Sequence, residues 1–142
     1  MAAASQPTSP TSHAPSRLAF WSGWILSVLP CLLLAFSAAG KFAKPQPVIE
    51  GFAHLGWPDQ LALPLGILEL SCTILFLIPR TAVLGAVLLA GYMGGAIATH
   101  VRIGEPFFAQ AGLGVAVWLG LYLREPRLRS LIPIRSPNFP GR

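Results

Sequence analysis

Three ionisable side chains in this 142-residue sequence, Lys41, Glu69 and His100, have the chemistry for proton exchange or ligand binding inside a membrane. Glu69 lies near the middle of an apolar stretch, residues 61–79. A carboxylate near the centre of a bilayer costs roughly 2.5–3.5 kcal/mol on insertion scales, so it is expected to face protein or water and to have a partner. A histidine nearby can exchange protons close to neutral pH. These residue types indicate a proton relay or a binding site for a polar headgroup.

The composition indicates that the elements carrying these residues lie in a membrane. Hydrophobic residues make up 54% of the chain and charged residues 11%, whereas soluble domains carry about 25% charged residues. The net charge of +5 does not point to nucleic acid, because most basic residues lie at the ends of apolar stretches and do not interleave with exposed aromatic residues. We therefore expect the lipid bilayer, and no nucleic acid, as a partner.

Four apolar stretches predict membrane-spanning helices, since a hydrocarbon core of about 30 Å matches about twenty helical residues. They cover residues 18–42, 60–78, 81–101 and 107–123. Between the first two, residues 48–55 have helical spacing of apolar side chains and predict a short amphipathic helix in the interface. The predicted fold class is all-α, an integral membrane four-helix bundle with one short interfacial helix.

The two ends of the chain are predicted to lie outside this bundle. Residues 1–17 are rich in Ser, Thr, Pro and Ala and predict a disordered tail, while residues 126–142 form a basic, Pro-rich tail. The first apolar stretch also resembles the core of a signal peptide, but it is too long for a typical one and a lysine follows it directly. We favour an uncleaved first span, which makes residues 18–125 one transmembrane domain.

The positive charges predict the orientation of the four spans. Seven of the ten Lys and Arg residues fall on the side that carries both termini. Cytoplasmic segments are enriched in positive charge, so both termini are expected in the cytoplasm and the protein in the inner or plasma membrane. Asp59 and Gln60 are expected to cap the second span, which enters from the outer side.

This topology predicts that the three ionisable residues meet in one outer-leaflet pocket. Glu69 lies about 13 Å below the outer side, at the floor of the pocket. The first and third spans end on the same side, near Lys41 and His100, although Lys41 can also extend outward to the headgroups. Tyr92 and Thr99 are further candidate members. The same cluster also has a structural interpretation, as an ion pair or hydrogen-bonded network that holds helices together.

We assign no chemical role to two other features, the cysteines and the small residues of the third span. Cys31 and Cys72 are predicted at similar depth, so a redox-active pair is geometrically conceivable, but without a cation at that depth they are expected to pack as inert apolar residues. No metal-ligand spacing is present. Small residues that recur every fourth position in the third span predict faces in close contact with a neighbouring helix. They are Ala90, Gly94 and Ala98 in one row and Gly91, Gly95 and Thr99 in the next, so that nearly one whole face of the helix is small.

Several short segments, taken in order, resemble the DoxX and DoxX-like membrane proteins. They are SAAGKF at 37–42, EGFAHLGWP at 50–58, GILEL at 66–70, IPR at 78–80 and GAIATH at 95–100. The resemblance covers roughly residues 20–125 and implies a four-helix membrane bundle. Lys41, Glu69 and His100 match the family's polar motif positions.

The resemblance also implies a function. The name-giving relatives are associated with a thiosulfate:quinone oxidoreductase, and others with membrane complexes linked to thiol and oxidative-stress metabolism. This implies a small membrane subunit or anchor of a quinone- or thiol-linked redox system, with a quinone as candidate cofactor and a membrane or soluble redox partner. The sequence has no haem-attachment motif, nucleotide fingerprint or spaced cysteine pair, so independent enzymatic activity is not expected.

Two alternatives from other functional classes stay open. One is a small-molecule transporter or channel, which four short helices could build only as a homo-oligomer held by their small-residue faces. The other is a structural assembly factor without a ligand, for which the basic C-terminal tail would be the partner-binding segment.

Overall fold

The computed structural model describes residues 17–125 and residue 128, and these residues form helices and short connections with no β-strand. Of the two predicted tails, residues 1–16 and all of 126–142 except Leu128 lie outside the described residues. The helices, in chain order, are α1 (Arg17–Ala43), α2 (Gln46–His54), α3 (Ala62–Leu77), α4 (Ala82–Arg102) and α5 (Phe108–Arg124). A 3₁₀ turn, Asp59–Leu61, leads into α3.

Three segments of the described chain are long and apolar enough to cross a membrane: Phe20–Ala43, Asp59–Leu77 and Ala82–Arg102. α5 is also apolar but has only 17 residues. Large apolar side chains such as Phe36 on α1 point outward and are exposed, which suits a helix surrounded by lipid. The prediction of an all-helical membrane protein is thus confirmed at the level of three candidate spans.

The helices pack so that α1 and α4 each contact both α3 and α5. Leu34, Phe76, Leu89 and Leu121, one from each of these four helices, are almost fully buried in the shared core. α3 and α4 are joined by a tight turn, in which the Thr81 hydroxyl donates to the Leu75 carbonyl over 2.7 Å. This turn lies between the second and third spans that the sequence predicted.

Two glycines permit the closest helix contacts. A Cβ added at Gly85 in α4 would lie 2.3 Å from the backbone nitrogen of Phe76 in α3. A Cβ added at Gly120 in α5 would lie 2.6 Å from the Ser27 hydroxyl oxygen in α1. Since no real Cβ tolerates such distances, glycine sets how near these helix pairs approach.

The small-residue faces predicted in α4 behave differently. A Cβ added at Gly91, Gly94 or Gly95 would meet no atom within 4 Å. Within the described part of the chain, these glycines therefore border open space instead of the neighbouring helix that the sequence predicted.

The connection between α1 and α3 contains the predicted amphipathic helix, α2, whose Phe52 is buried. α1 ends with Lys44 in the left-handed region, at a φ of 46°, where its N–H donates to the Gly40 carbonyl over 2.9 Å. Asp59 does not cap the following helix with its side chain, so that prediction is wrong. Its carboxylate accepts a hydrogen bond from Lys44 Nζ over 3.4 Å, because the left-handed turn brings this lysine over the start of α3.

Candidate ligand-binding site

A cavity of about 850 Å³ lies between α1, α3, α4 and α5, with α2 beside it. Most of its wall consists of leucine and other apolar side chains. The five residues that the sequence predicted for an outer-leaflet pocket all line this cavity; they are Lys41, Glu69, Tyr92, Thr99 and His100. We call this space the central cavity.

Lys41 and Glu69 form a direct ion pair in the wall of the central cavity. Lys41 Nζ lies 2.8 Å from Glu69 Oε2 and also donates to the Ser37 hydroxyl over 2.6 Å. Glu69 is only 2% exposed, and the Tyr92 hydroxyl interacts with its carboxylate. Lys41 therefore turns inward to a buried partner and does not extend to the headgroups.

His100 lines the same cavity but bonds to different partners. Its Nδ1 lies 2.8 Å from the Ala96 carbonyl oxygen, which can only accept, so Nδ1 carries the proton. The other ring nitrogen, Nε2, then accepts from the Gln110 amide nitrogen over 3.1 Å. The hydroxyl of the neighbouring Thr99 donates back to the Gly95 carbonyl over 2.9 Å. The structure thus places two separate polar groups on one cavity, an ion pair and a histidine–amide pair.

Gln110 is the polar residue of this site that the sequence reasoning missed. The signal was a lone amide near the start of the fourth apolar stretch. Its Oε1 is buried and has no hydrogen-bond partner among the described residues. The Gln110 amide is therefore held by its bond to His100 alone.

The α2 side of the cavity is closed by a set of contacts that we call the α2 cover. Leu55 and Trp57 line the cavity, and the Arg102 guanidinium donates to the Leu55 carbonyl and lies 5.9 Å from the centre of the Trp57 ring. His54 Nε2 lies 2.6 Å from Glu105 Oε1. These contacts tie α2 to the connection between α4 and α5.

Comparison with models of known protein families found a match. The family model described as the DoxX-like family matches residues 25–123. The chain belongs to the DoxX-like family. This match confirms the resemblance predicted from the short motifs and covers the whole central cavity. Searches of curated proteins and of solved structures each found no match.

The two cysteines of this DoxX-like protein are buried and unbridged. Cys72 lines the central cavity, and Cys31 belongs to the apolar core. The sequence predicted no cation at the depth of Cys31, and the Arg124 guanidinium is near enough to act on this thiol electrostatically. Within residues 17–125, no group of three His, Cys, Asp or Glu side chains is arranged to hold a metal ion.

Arg124 itself is fixed at the end of the DoxX-like helix assembly opposite the α2 cover. Its Nη2 donates to the Phe76 carbonyl over 2.6 Å, and its guanidinium lies 4.9 Å from the Trp24 ring centre and 4.5 Å from that of Phe76. The Phe76 carbonyl belongs to the last turn of α3, where the helix has no backbone donors for it. Arg124 thus supplies a missing donor between three helices and is not simply a surface topology signal.

The central cavity of the DoxX-like chain combines an apolar wall with few, well-placed polar groups. That combination is typical of small-molecule sites. Lys41 offers a donor, Glu69 offers an acceptor, and His100 can take up a proton at Nε2 once the Gln110 amide moves. The arrangement therefore suits an apolar molecule with a polar ring or headgroup better than a fully polar solute.

Proposed function

We propose that this DoxX-like protein binds a quinone-class amphiphile in the central cavity and acts as a small membrane subunit or anchor of a quinone- or thiol-linked redox system. The observation that carries the proposal is a buried Lys41–Glu69 ion pair in the wall of an otherwise apolar cavity of about 850 Å³. A carbonyl oxygen of a quinone ring would accept a hydrogen bond from Lys41. When the redox partner supplies electrons to the ring or removes them, His100 would pass a proton to a ring oxygen or take one from it. The chain then needs no independent enzymatic activity.

In this proposal α1, α3, α4 and α5 form a four-helix bundle that crosses the inner or plasma membrane. α2 lies in the outer interface, and both termini are cytoplasmic. The 17 residues of α5 extend about 26 Å, close to the thickness of the hydrocarbon core. This topology puts the central cavity in the outer leaflet, where a lipid-soluble ligand is concentrated.

Binding can be tested through Trp57, which lines the central cavity. In a variant that keeps Trp57 as its only tryptophan, a benzoquinone added to detergent-solubilised protein should quench the fluorescence. Gly95→Leu should abolish this quenching, because Gly95 lines the cavity and a side chain there enters open space. Gly112→Leu is the matched control, since its side chain also enters open space but Gly112 does not line the central cavity. Equal quenching in both variants would contradict the proposal.

The redox association needs a separate test, purification from native membranes in mild detergent followed by mass spectrometry. The proposal predicts a redox or sulfur-metabolism enzyme, or a bound quinone that is lost in Glu69→Gln. A homo-oligomer that carries neither would instead favour the transporter or channel. The open small-residue faces of α4 are the observation in favour of that second function. Liposome flux of a small solute, abolished by Glu69→Gln, would then establish it.

A further inference from the structure

A second space of about 570 Å³ lies between α4 and α5, and we call it the α4–α5 groove. Its wall is apolar for most of its length and includes Ile97, Val115 and Trp118. A Cβ added at Gly94 or Gly114 would meet no atom within 4 Å. The groove forms because glycines on both helices have no side chain to fill it. Val115, which lines the groove, is 67% exposed, so the groove lies on the outer surface of the helix assembly.

Among the described residues, the α4–α5 groove and the central cavity share two lining side chains. Met93 and Gln110 line both spaces. Methionine is flexible and adapts its shape readily. The Gln110 amide has one partner, His100, while its Oε1 has none among the described residues. Both side chains can therefore shift with the loss of at most one hydrogen bond.

The ion pair lies to one side of the groove, so an amphiphile bound across both spaces would have a defined orientation. The ion pair lies in the central cavity, whereas none of the described residues in the wall of the groove is charged. A molecule that extends from one space into the other would place its polar end beside Lys41 and Glu69 and its apolar end between α4 and α5. On the other side, the α2 cover lies over the cavity.

We propose that the central cavity and the α4–α5 groove are one bipartite site for an amphiphile with a ring head and a single long alkyl or polyprenyl tail. The head occupies the cavity, and the tail passes between Met93 and Gln110 into the groove. This inference rests on the proposed function and adds the tail to it. Continuity with the head site favours a ligand tail over a second copy of the chain or an acyl chain of the surrounding lipid.

The experiment uses two tryptophans that lie in the two spaces, Trp57 in the central cavity and Trp118 in the groove. Two variants of the full chain each keep one of them, with the other tryptophans changed to Phe. The probes are a benzoquinone with a brominated decyl tail and the same molecule without bromine. Bromine quenches tryptophan at short range, so the difference between the probes reports the tail alone.

Bromine-dependent quenching is expected at Trp118, and an excess of tailless benzoquinone should remove it by taking the head site. Gly114→Leu should abolish the Trp118 signal while the tailless head still quenches Trp57. Gly112→Leu should change neither signal, since Gly112 borders neither space.

Other outcomes would overturn the inference in distinguishable ways. Trp118 quenching that the tailless head does not displace would mean that a lipid chain, or probe dissolved in lipid, occupies the groove. No bromine-dependent quenching of Trp118 beside normal quenching of Trp57 would mean that the tail lies elsewhere or that a second copy fills the groove. Absence of head quenching at Trp57 would overturn the proposed function together with this inference.

Discussion

The glycines of α4 and α5 serve different purposes in the two halves of this helix assembly. In the half that contains Arg124, Gly85 and Gly120 allow helix backbones to touch, and an added Cβ would overlap a neighbour. In the half that contains the central cavity, Gly91 and Gly95 face open space. Within a membrane, helices associate mainly through close packing, because lipid tails are as apolar as the side chains. The first half therefore has the contacts expected to hold the helices together, and the second has room for a ligand.

The buried charges follow the same division. Arg124 donates to a backbone carbonyl and lies over two aromatic rings. These groups belong to the helices themselves, so they hold the guanidinium in a fixed position. Lys41 and Glu69 form an ion pair between two helices in the wall of the central cavity. The first half thus holds a fixed cation, and the second holds an ion pair that faces a cavity. We propose a structural role for the first and a ligand-binding role for the second. Each prediction below tests one part of this division.

The largest effect on stability is expected from breaking the ion pair. Lys41→Met leaves the Glu69 carboxylate, 2% exposed, without its cation and should lower the free energy of unfolding by about 3–5 kcal/mol. The double variant Lys41→Met/Glu69→Met should recover much of this loss, since a buried pair can be replaced by apolar side chains at little cost. Thermal unfolding in detergent measures both. A double variant as unstable as the single one would show that the cavity half depends on this pair for more than charge balance.

A smaller loss is expected at the closest helix contact. Gly85→Ala forces a Cβ against the backbone of Phe76 and should cost about 1–3 kcal/mol. Gly95→Ala adds the same methyl group to the same helix in open space, and it should leave stability unchanged or slightly raised, as alanine favours a helix. The difference between their unfolding temperatures is the measurement. Equal effects would remove the contrast between the two halves.

These two glycines show how far sequence reasoning reaches. Spacing predicted the spans and a small face on α4, because hydrophobic length and periodicity are local properties. It did not show which small residues meet a neighbour, since that depends on the helix rotation and on the partner's side chain. Gly85, which makes the close contact, lies outside the two predicted stripes, and the stripe residues Gly91 and Gly94 border space.

The candidate ligand-binding site shows the same limit of sequence reasoning. Depth along the helices, which follows from the fixed rise per residue, predicted that Lys41, Glu69 and His100 lie near one another, and all three line the central cavity. Depth alone could not pair them, and His100 binds Gln110 instead of the carboxylate. Which side chains pair depends on the direction in which each one projects from its helix axis. Tertiary packing sets that direction. The proximity of Arg124 to Cys31 was missed for the same reason.

A further loss of about 1–2 kcal/mol is expected for Arg124→Lys. Lysine keeps the charge but lacks the planar guanidinium that lies over Trp24 and Phe76 while it donates to the Phe76 carbonyl. The unfolding temperature should fall, whereas quinone quenching of Trp57 should be unchanged because Arg124 does not line the central cavity. Weaker quenching at unchanged stability would mean that this residue acts on the ligand site and is not confined to the packed half.

The smallest effect on stability is expected at the α2 cover. His54 and Glu105 are 65% and 38% exposed, so their pair should contribute less than about 1 kcal/mol, and His54→Ala should hardly change the unfolding temperature. It should nevertheless speed hydrogen exchange of the α2 amides, because one of the contacts that tie α2 to the α4–α5 connection is lost. Arg102→Ala, which removes the bond to the Leu55 carbonyl, should speed it further. If neither variant changes exchange in α2, the buried Phe52 side chain alone holds the cover, and the cavity half is closed as firmly as the packed half.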